Sequence, residues 1–292
     1  MASNPAFNRI EKDAQDGYAG FGGPGAGAVQ QSAAGSAAAA GMSAEQLQDL
    51  YNQPAAGPAD TRRVTMDDVI MKTLSLFAIV LVFGAIGWVV AANSQTGGFA
   101  LWMGGMIGTL VLGLVIAFKK TLSVPLILLY AVVEGLFLGA VSQFFSLYFD
   151  DPNLDTPAFQ GIVAQAVIAT LATFTGMFLA YRFGLIKVTA RFRRVMTMMI
   201  IGYALFAIVN FVFAMVTNSQ FGIGGSGGLG IAISLFAVGL ASFTLALDFD
   251  AIEQAIASGA PQKYSWLLAH GLIVTLVWLY IEFLRLFARL RS

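Results

Sequence analysis

The chain has 292 residues, 58% of them hydrophobic and only 11% charged, with a mean hydropathy of +0.76 and a formal net charge of zero. Soluble domains carry about 25% charged residues, so this deficit points to a polytopic helical membrane protein, and the balanced charge offers nothing to nucleic acid. The lack of cysteine removes disulfides, thiolate catalysis and the usual structural zinc sites, and a single histidine removes a histidine-built metal centre.

Residues 1–65 are rich in Gly, Ala, Ser, Gln and Pro, as in Gly20 to Ala28 and Ser32 to Gly41. Such a segment cannot bury enough apolar surface to offset its chain entropy, and a disordered cytoplasmic tail is expected. Ser43, followed by Glu45 and Gln46, reads as the capped start of a short helix to Tyr51. No charged n-region leads directly into an apolar h-region, so a cleavable signal peptide is not expected.

A hydrocarbon core of about 30 Å needs roughly 20 helical residues. Seven stretches over residues 66–292 satisfy that: 69–93, 98–118, 124–148, 158–182, 195–217, 227–247 and 265–287. Turn chemistry separates them, at Ser94 to Gly98, Asp150 to Asn153, Gly224 to Gly228 and Gly259 to Pro261. The shortest break is Lys119 to Ser123. The predicted fold class is an all-α membrane protein, a seven-transmembrane-helix bundle behind a disordered N-terminal tail.

Basic residues sort between the two sides. One side takes Arg62, Arg63, Lys72, Lys119, Lys120, Arg182, Lys187, Arg191, Arg193, Arg194 and Lys263; loops on the other show Asp150, Asp151 and Asp155. The positive-inside rule puts the tail in the cytoplasm and, with seven spans, the C-terminus outside. Arg285, Arg289 and Arg291 run against that rule. Full crossing of the last span is nevertheless expected. Glycines four apart, Gly104 with Gly108 and Gly135 with Gly139, mark faces where helices approach closely. No internal repeat suggests an inverted-repeat transporter.

Acidic residues at membrane depth carry the functional signal, because an ionised carboxylate there is costly and normally faces a cavity, a partner or an ion path. Asp248 ends an apolar run in span six, with Asp250 and Glu253 after it. Asp248 is rotated about 200° from Asp250 on a helix, so the acids cannot all face one partner. Asp250 and Glu253 read as the wet end of the helix. Glu282 lies deep in span seven, with Arg285 at ion-pair spacing, and reads either as an exit-interface pair or as a titratable group in the bundle. Glu134, in mid-span three, has no interfacial position to explain it and reads as functional or part of a buried network. His270 reads as a hydrogen-bonded structural histidine, with a proton relay as the other reading. Gln165 and Asn210 are intramembrane amides of the kind that join neighbouring helices.

The run Asp248-Phe249-Asp250-Ala251-Ile252 resembles the Asp-x-x-x-Ile signature of the Bax inhibitor family, the transmembrane Bax inhibitor motif proteins. Leu279 to Phe287 is similar to that family's closing Leu-Tyr-Leu-Asp-Phe element, and Glu134 to Gly139 to its glycine-bearing early span. The leader with Asn4-Pro5 resembles a bacterial subgroup, which implies a plasma (inner) membrane location. The likeness runs over about residues 66–291.

This resemblance implies a bundle with the last helix central and a pH-sensitive calcium leak whose sensor is an acidic pair, here Asp248 and Glu282. Two neighbouring carboxyls in low dielectric cannot both ionise cheaply, so one holds a proton; losing it separates helices or admits a cation. Oxygen ligands suit calcium, which enters as the permeant ion; no cofactor is expected. Two departures stand out. The last acid is Glu rather than Asp, and the longer connection from Asp248 to Glu282 displaces the two axially, so that Glu134 or Arg285 becomes an alternative partner. Asp250 and His270 complete the supporting set.

Rivals are weaker. A retinal-type protein needs a lysine in the last span, and 265–287 has none. Paired Gly-x-Gly-Asp motifs of an aspartyl membrane protease are missing, and His270 has no evident serine, so no enzyme is expected. The main alternative is a non-conducting protein whose partners, beyond lipid and cations, are membrane proteins such as membrane proteases. A proton-coupled transporter is a third possibility.

Overall fold

The computed structural model describes residues 62–119, 121–150 and 160–292. Seven helices make up the described residues: α1 Met66–Asn93, α2 Gln95–Phe118, α3 Val124–Phe149, α4 Ile162–Arg182, α5 Ala190–Thr217, α6 Gly228–Ala257 and α7 Tyr264–Arg291. All seven are long and apolar enough to cross a membrane. The expected short helix at 43–51, the tail to residue 61, and Asp151 and Asp155 lie outside the described residues.

Helix ends follow local chemistry. Thr65 caps α1 in a reciprocal box with Asp68. Ser94 closes α1 and opens α2 in a single residue, its side chain accepting from the Gly97 N–H at 3.0 Å. Pro125 sits in the first turn of α3, where its missing N–H costs nothing. Asn218 ends α5 in the left-handed conformation, φ 51°.

Two boundaries depart from expectation with consequences. Helix α5 starts at Ala190 rather than 195, so Arg191, Arg193 and Arg194 are helical. Helix α6 runs on to Ala257 rather than stopping at 247, which carries Asp248, Asp250 and Glu253 along its surface. Hydropathy marks where lipid ends; hydrogen-bonded backbone continues past that point.

Burial separates centre from periphery. The most apolar stretch of α7 is 72% buried and that of α5 is 0% buried. Helix α7 packs against α1, α3, α4 and α6, while α5 lies on α6. The last helix is therefore central. Glycines set the closest crossing, α1 with α3: a Cβ added at Gly139 would meet the Gly84 carbonyl oxygen at 2.0 Å, and one at Gly135 the Val80 oxygen at 2.7 Å. On α2 the contact glycine is Gly105, which faces Phe137, whereas Gly104 faces open space.

Residues 62–65, which the sequence reading assigned to the tail, are ordered. Val64 N–H donates to the Ala260 carbonyl and Gln262 N–H to the Arg62 carbonyl, both at 2.8 Å. This pairs Arg63 with Pro261 in an isolated antiparallel bridge. Pro261 takes the position that donates no ladder hydrogen bond, where a missing N–H is harmless. Gln262 also donates to Asp68 at 2.7 Å, and Lys72 donates to Ser265 and lies over the Trp266 ring. The entry to α1 thus clasps the α6–α7 turn.

Candidate functional site

Asp248 stands nine residues before the end of α6, about 13 Å along the helix at 1.5 Å per residue. It is only 4% exposed. Thr275 of α7 engages its carboxyl, and Oδ2 is buried without a hydrogen-bond partner. The Thr275 hydroxyl donates to the Gly271 carbonyl at 3.3 Å. A hydroxyl can donate or accept, so Thr275 offers a hydrogen bond both to an Asp248 carboxylate and to the protonated acid. A buried polar atom with no partner carries a desolvation cost, which makes this the least satisfied acid on α6.

Glu282 has a different setting. It is 2% exposed, and its Oε1 accepts from the Tyr203 hydroxyl at 2.6 Å and from the Trp278 indole N–H at 3.1 Å. Arg285 completes the set at 3.5 Å, so the ion pair expected from spacing is present. Tyr203 also stacks on Trp278, centroids 5.8 Å apart. Through this tyrosine α5 reaches the central helix, and nothing in its sequence neighbourhood marks it.

Asp248 and Glu282 therefore share α7 without sharing a partner. Thr275, opposite Asp248, precedes Glu282 by seven residues, close to two turns and about 10 Å. Both face the same side of α7. The axial displacement foreseen from the long connection is what the geometry has, and Arg285 rather than Asp248 neighbours Glu282.

The remaining acids of α6 tie helix ends together. Asp250 Oδ2 accepts from Arg193 at 2.5 Å and from Gln254 at 2.7 Å. The Tyr181 hydroxyl donates to Glu253 at 2.5 Å. Asp250 thus points to α5 and Asp248 to α7, as their rotation on the helix requires. Glu253 is exposed and Asp250 half-buried, so the wet-end reading fits Glu253 better than Asp250.

Glu134 and His270 lie on α3 and α7. They are 4% and 6% exposed, and Glu134 Oε2 and His270 Nδ1 have no hydrogen-bond partner. The hydroxyls of Tyr130 and Thr109 engage the Glu134 carboxyl. Among the described residues no three of His, Asp and Glu converge as a metal-binding group, so these are separate carboxyls rather than a chelating cage.

The arginines that broke the charge rule have partners. Arg289 donates to the Gly230 carbonyl at 2.5 Å, Ser234 Oγ at 2.6 Å and the Phe221 carbonyl at 3.3 Å. Arg291 pairs with Asp150 at 2.5 Å and donates to the Gln160 carbonyl at 2.8 Å and Gln165 Oε1 at 2.9 Å. The far end of α7 thus meets the α3–α4 and α5–α6 connections, and the last helix runs the length of the bundle. Asn210 is a local joint: it accepts from the Ile223 N–H at 2.7 Å beyond its own helix end.

Comparison with the curated proteins gave no match. A family model described as Bax inhibitor 1 like matches residues 4–292, a span that takes in every helix and all the buried acids described above. This integral membrane protein belongs to the Bax inhibitor 1 like family.

Proposed function

We propose that this protein is a proton-regulated cation leak, with calcium as the permeant ion, in which Asp248 is the gating carboxyl. The observation that carries this reading is the Asp248 side chain itself, buried between α6 and the central α7 with one oxygen unpartnered. With its proton on, Asp248 can donate to Thr275 and α6 stays packed on α7. Without it, an uncompensated charge stands inside the bundle. That is relieved by parting the helices to admit water or by taking a cation onto oxygen. Glu282, held by Tyr203, Trp278 and Arg285, serves as the fixed acidic group two turns further along the same face. The reading places the protein in the inner membrane of a bacterium with its tail cytoplasmic, supported by the sorting of basic residues.

The test is flux of purified full-length protein in liposomes loaded with a calcium dye, across pH. Leak is expected to rise with pH. In Asp248→Asn the pH dependence is lost and leak falls at least about tenfold, the effect of about 1.4 kcal/mol on an equilibrium; Glu282→Gln lowers leak at every pH. Unchanged leak in both variants refutes the site. No leak from the wild-type protein points instead to the non-conducting interaction role, and flux that needs a pH gradient points to a proton-coupled transporter.

A further inference from the structure

Glu134, Tyr130 and His270 form a cluster that the Asp248 reading does not use. Tyr130 lies four residues before Glu134, so the two project from one face of α3 about one turn apart. Its ring meets the His270 ring edge-on, centroids 4.5 Å apart and planes at 87°, while its hydroxyl engages the Glu134 carboxyl. One tyrosine therefore touches both a carboxylic acid and an imidazole. All three side chains are buried, and both the acid and the imidazole retain an unpartnered polar atom, Oε2 and Nδ1. Buried polar groups in folded proteins are overwhelmingly paired, and two orphans meeting on one tyrosine call for a common cause.

We propose that Glu134, Tyr130 and His270 make a single proton-binding site between α3 and α7, separate from Asp248, in which the carboxyl and the imidazole, both packed on Tyr130, share one proton's charge and titrate as a coupled pair. The chemistry closes. A neutral acid beside a neutral imidazole and a carboxylate beside an imidazolium contain the same protons and the same zero net charge. Loss of a proton from a Glu134 oxygen matched by gain of one at a His270 nitrogen breaks one O–H bond, forms one N–H bond and leaves no net charge in the bundle. A second proton, or none, leaves an uncompensated charge there, which low dielectric penalises.

Among the described residues, no charged side chain acts on Glu134 or His270. From α2 comes Thr109, a neutral hydroxyl that lies within reach of the Gly105 and Met106 carbonyls and of the Glu134 carboxyl. From α1, Lys72 lies over Trp266, about one turn before His270. From α6, Asp248 faces Thr275, five residues after His270 and rotated from it by about 140°. The two sites leave α7 on different faces. This inference does not rest on conduction: the site binds its proton whether or not a cation crosses.

His270 is the chain's single histidine, so full-length protein labelled with ¹⁵N-histidine in lipid gives one imidazole to follow by solid-state NMR while pH is varied. The expected result is a His270 nitrogen signal that titrates and whose midpoint moves by about one pH unit or more in Glu134→Gln, the size that marks coupled groups. Tyr130→Phe gives a smaller displacement, and Asp248→Asn leaves the signal where it was. An identical His270 signal in wild type and Glu134→Gln overturns the site, and a displacement in Asp248→Asn equal to that in Glu134→Gln overturns its separateness. Should Glu134→Gln fail to fold, infrared difference spectra of Asp248→Asn protein decide: a carboxyl band and an imidazole band changing at one pH support the site, and an imidazole change with no carboxyl partner removes it.

Discussion

Arg289 shows how far a residue's meaning depends on its partners. By charge counting it is an anomaly, a cation on the side that should have few. In the fold it is 6% exposed and its guanidinium bonds two carbonyls and the Ser234 hydroxyl, with its plane near the Phe221 ring. Arg289→Ala removes all three donations, so thermal unfolding in detergent should show a loss of about 1–3 kcal/mol, the cost of stranding buried acceptors. Arg289→Lys should recover only part, because a point-like ammonium cannot replace a planar fork; full recovery would show that charge alone matters there. Glu282 makes the complementary case. Its pairing with Arg285 was legible because three residues on a helix is a short-range rule. Its bond to Tyr203, 79 residues away, was not.

At the scale of elements, the glycine pairs separate spacing from use. Both Gly104/Gly108 and Gly135/Gly139 have the four-residue repeat, yet only the second pair lies at a backbone-to-backbone crossing. A methyl group at Gly139 would meet the Gly84 oxygen at 2.0 Å and the Trp88 nitrogen at 2.6 Å, both backbone atoms that cannot rotate away. Gly139→Ala should therefore push α1 from α3 and destabilise by about 1–3 kcal/mol or more. Gly104→Ala meets nothing within 4 Å and should be neutral or stabilise by up to about 1 kcal/mol through helix propensity. The same unfolding assay ranks the two, and equal effects would refute the crossing. Periodicity says that a smooth face exists on a helix. The helix's rotation in the bundle, which neighbours set, says whether anything presses on it.

Across the whole molecule, the clasp of residues 62–65 on 260–262 keeps the entry to α1 beside the start of α7, and the proposed orientation, with seven crossings, puts the two ends of the chain on opposite sides. With no native cysteine, single thiols report sidedness cleanly. In intact cells, Ser292→Cys should react with a membrane-impermeant maleimide, and Ser36→Cys should react only after lysis. The reverse pattern would invert the proposed orientation, and labelling of neither or both would break the odd number of crossings. Span number and rough limits followed from sequence because the cost of placing a residue in hydrocarbon is summed along the chain, one residue at a time, whatever the neighbours. The buried acids were legible for the same reason: each is expensive wherever it points. What only the tertiary structure decided is that α7 is the centre and α5 the rim, that Asp248 meets Thr275 while Glu282 meets Tyr203, and that His270 and Glu134 share Tyr130. Those facts depend on how each helix is rotated and slid against chain far away in sequence, and close packing settles that for all seven together.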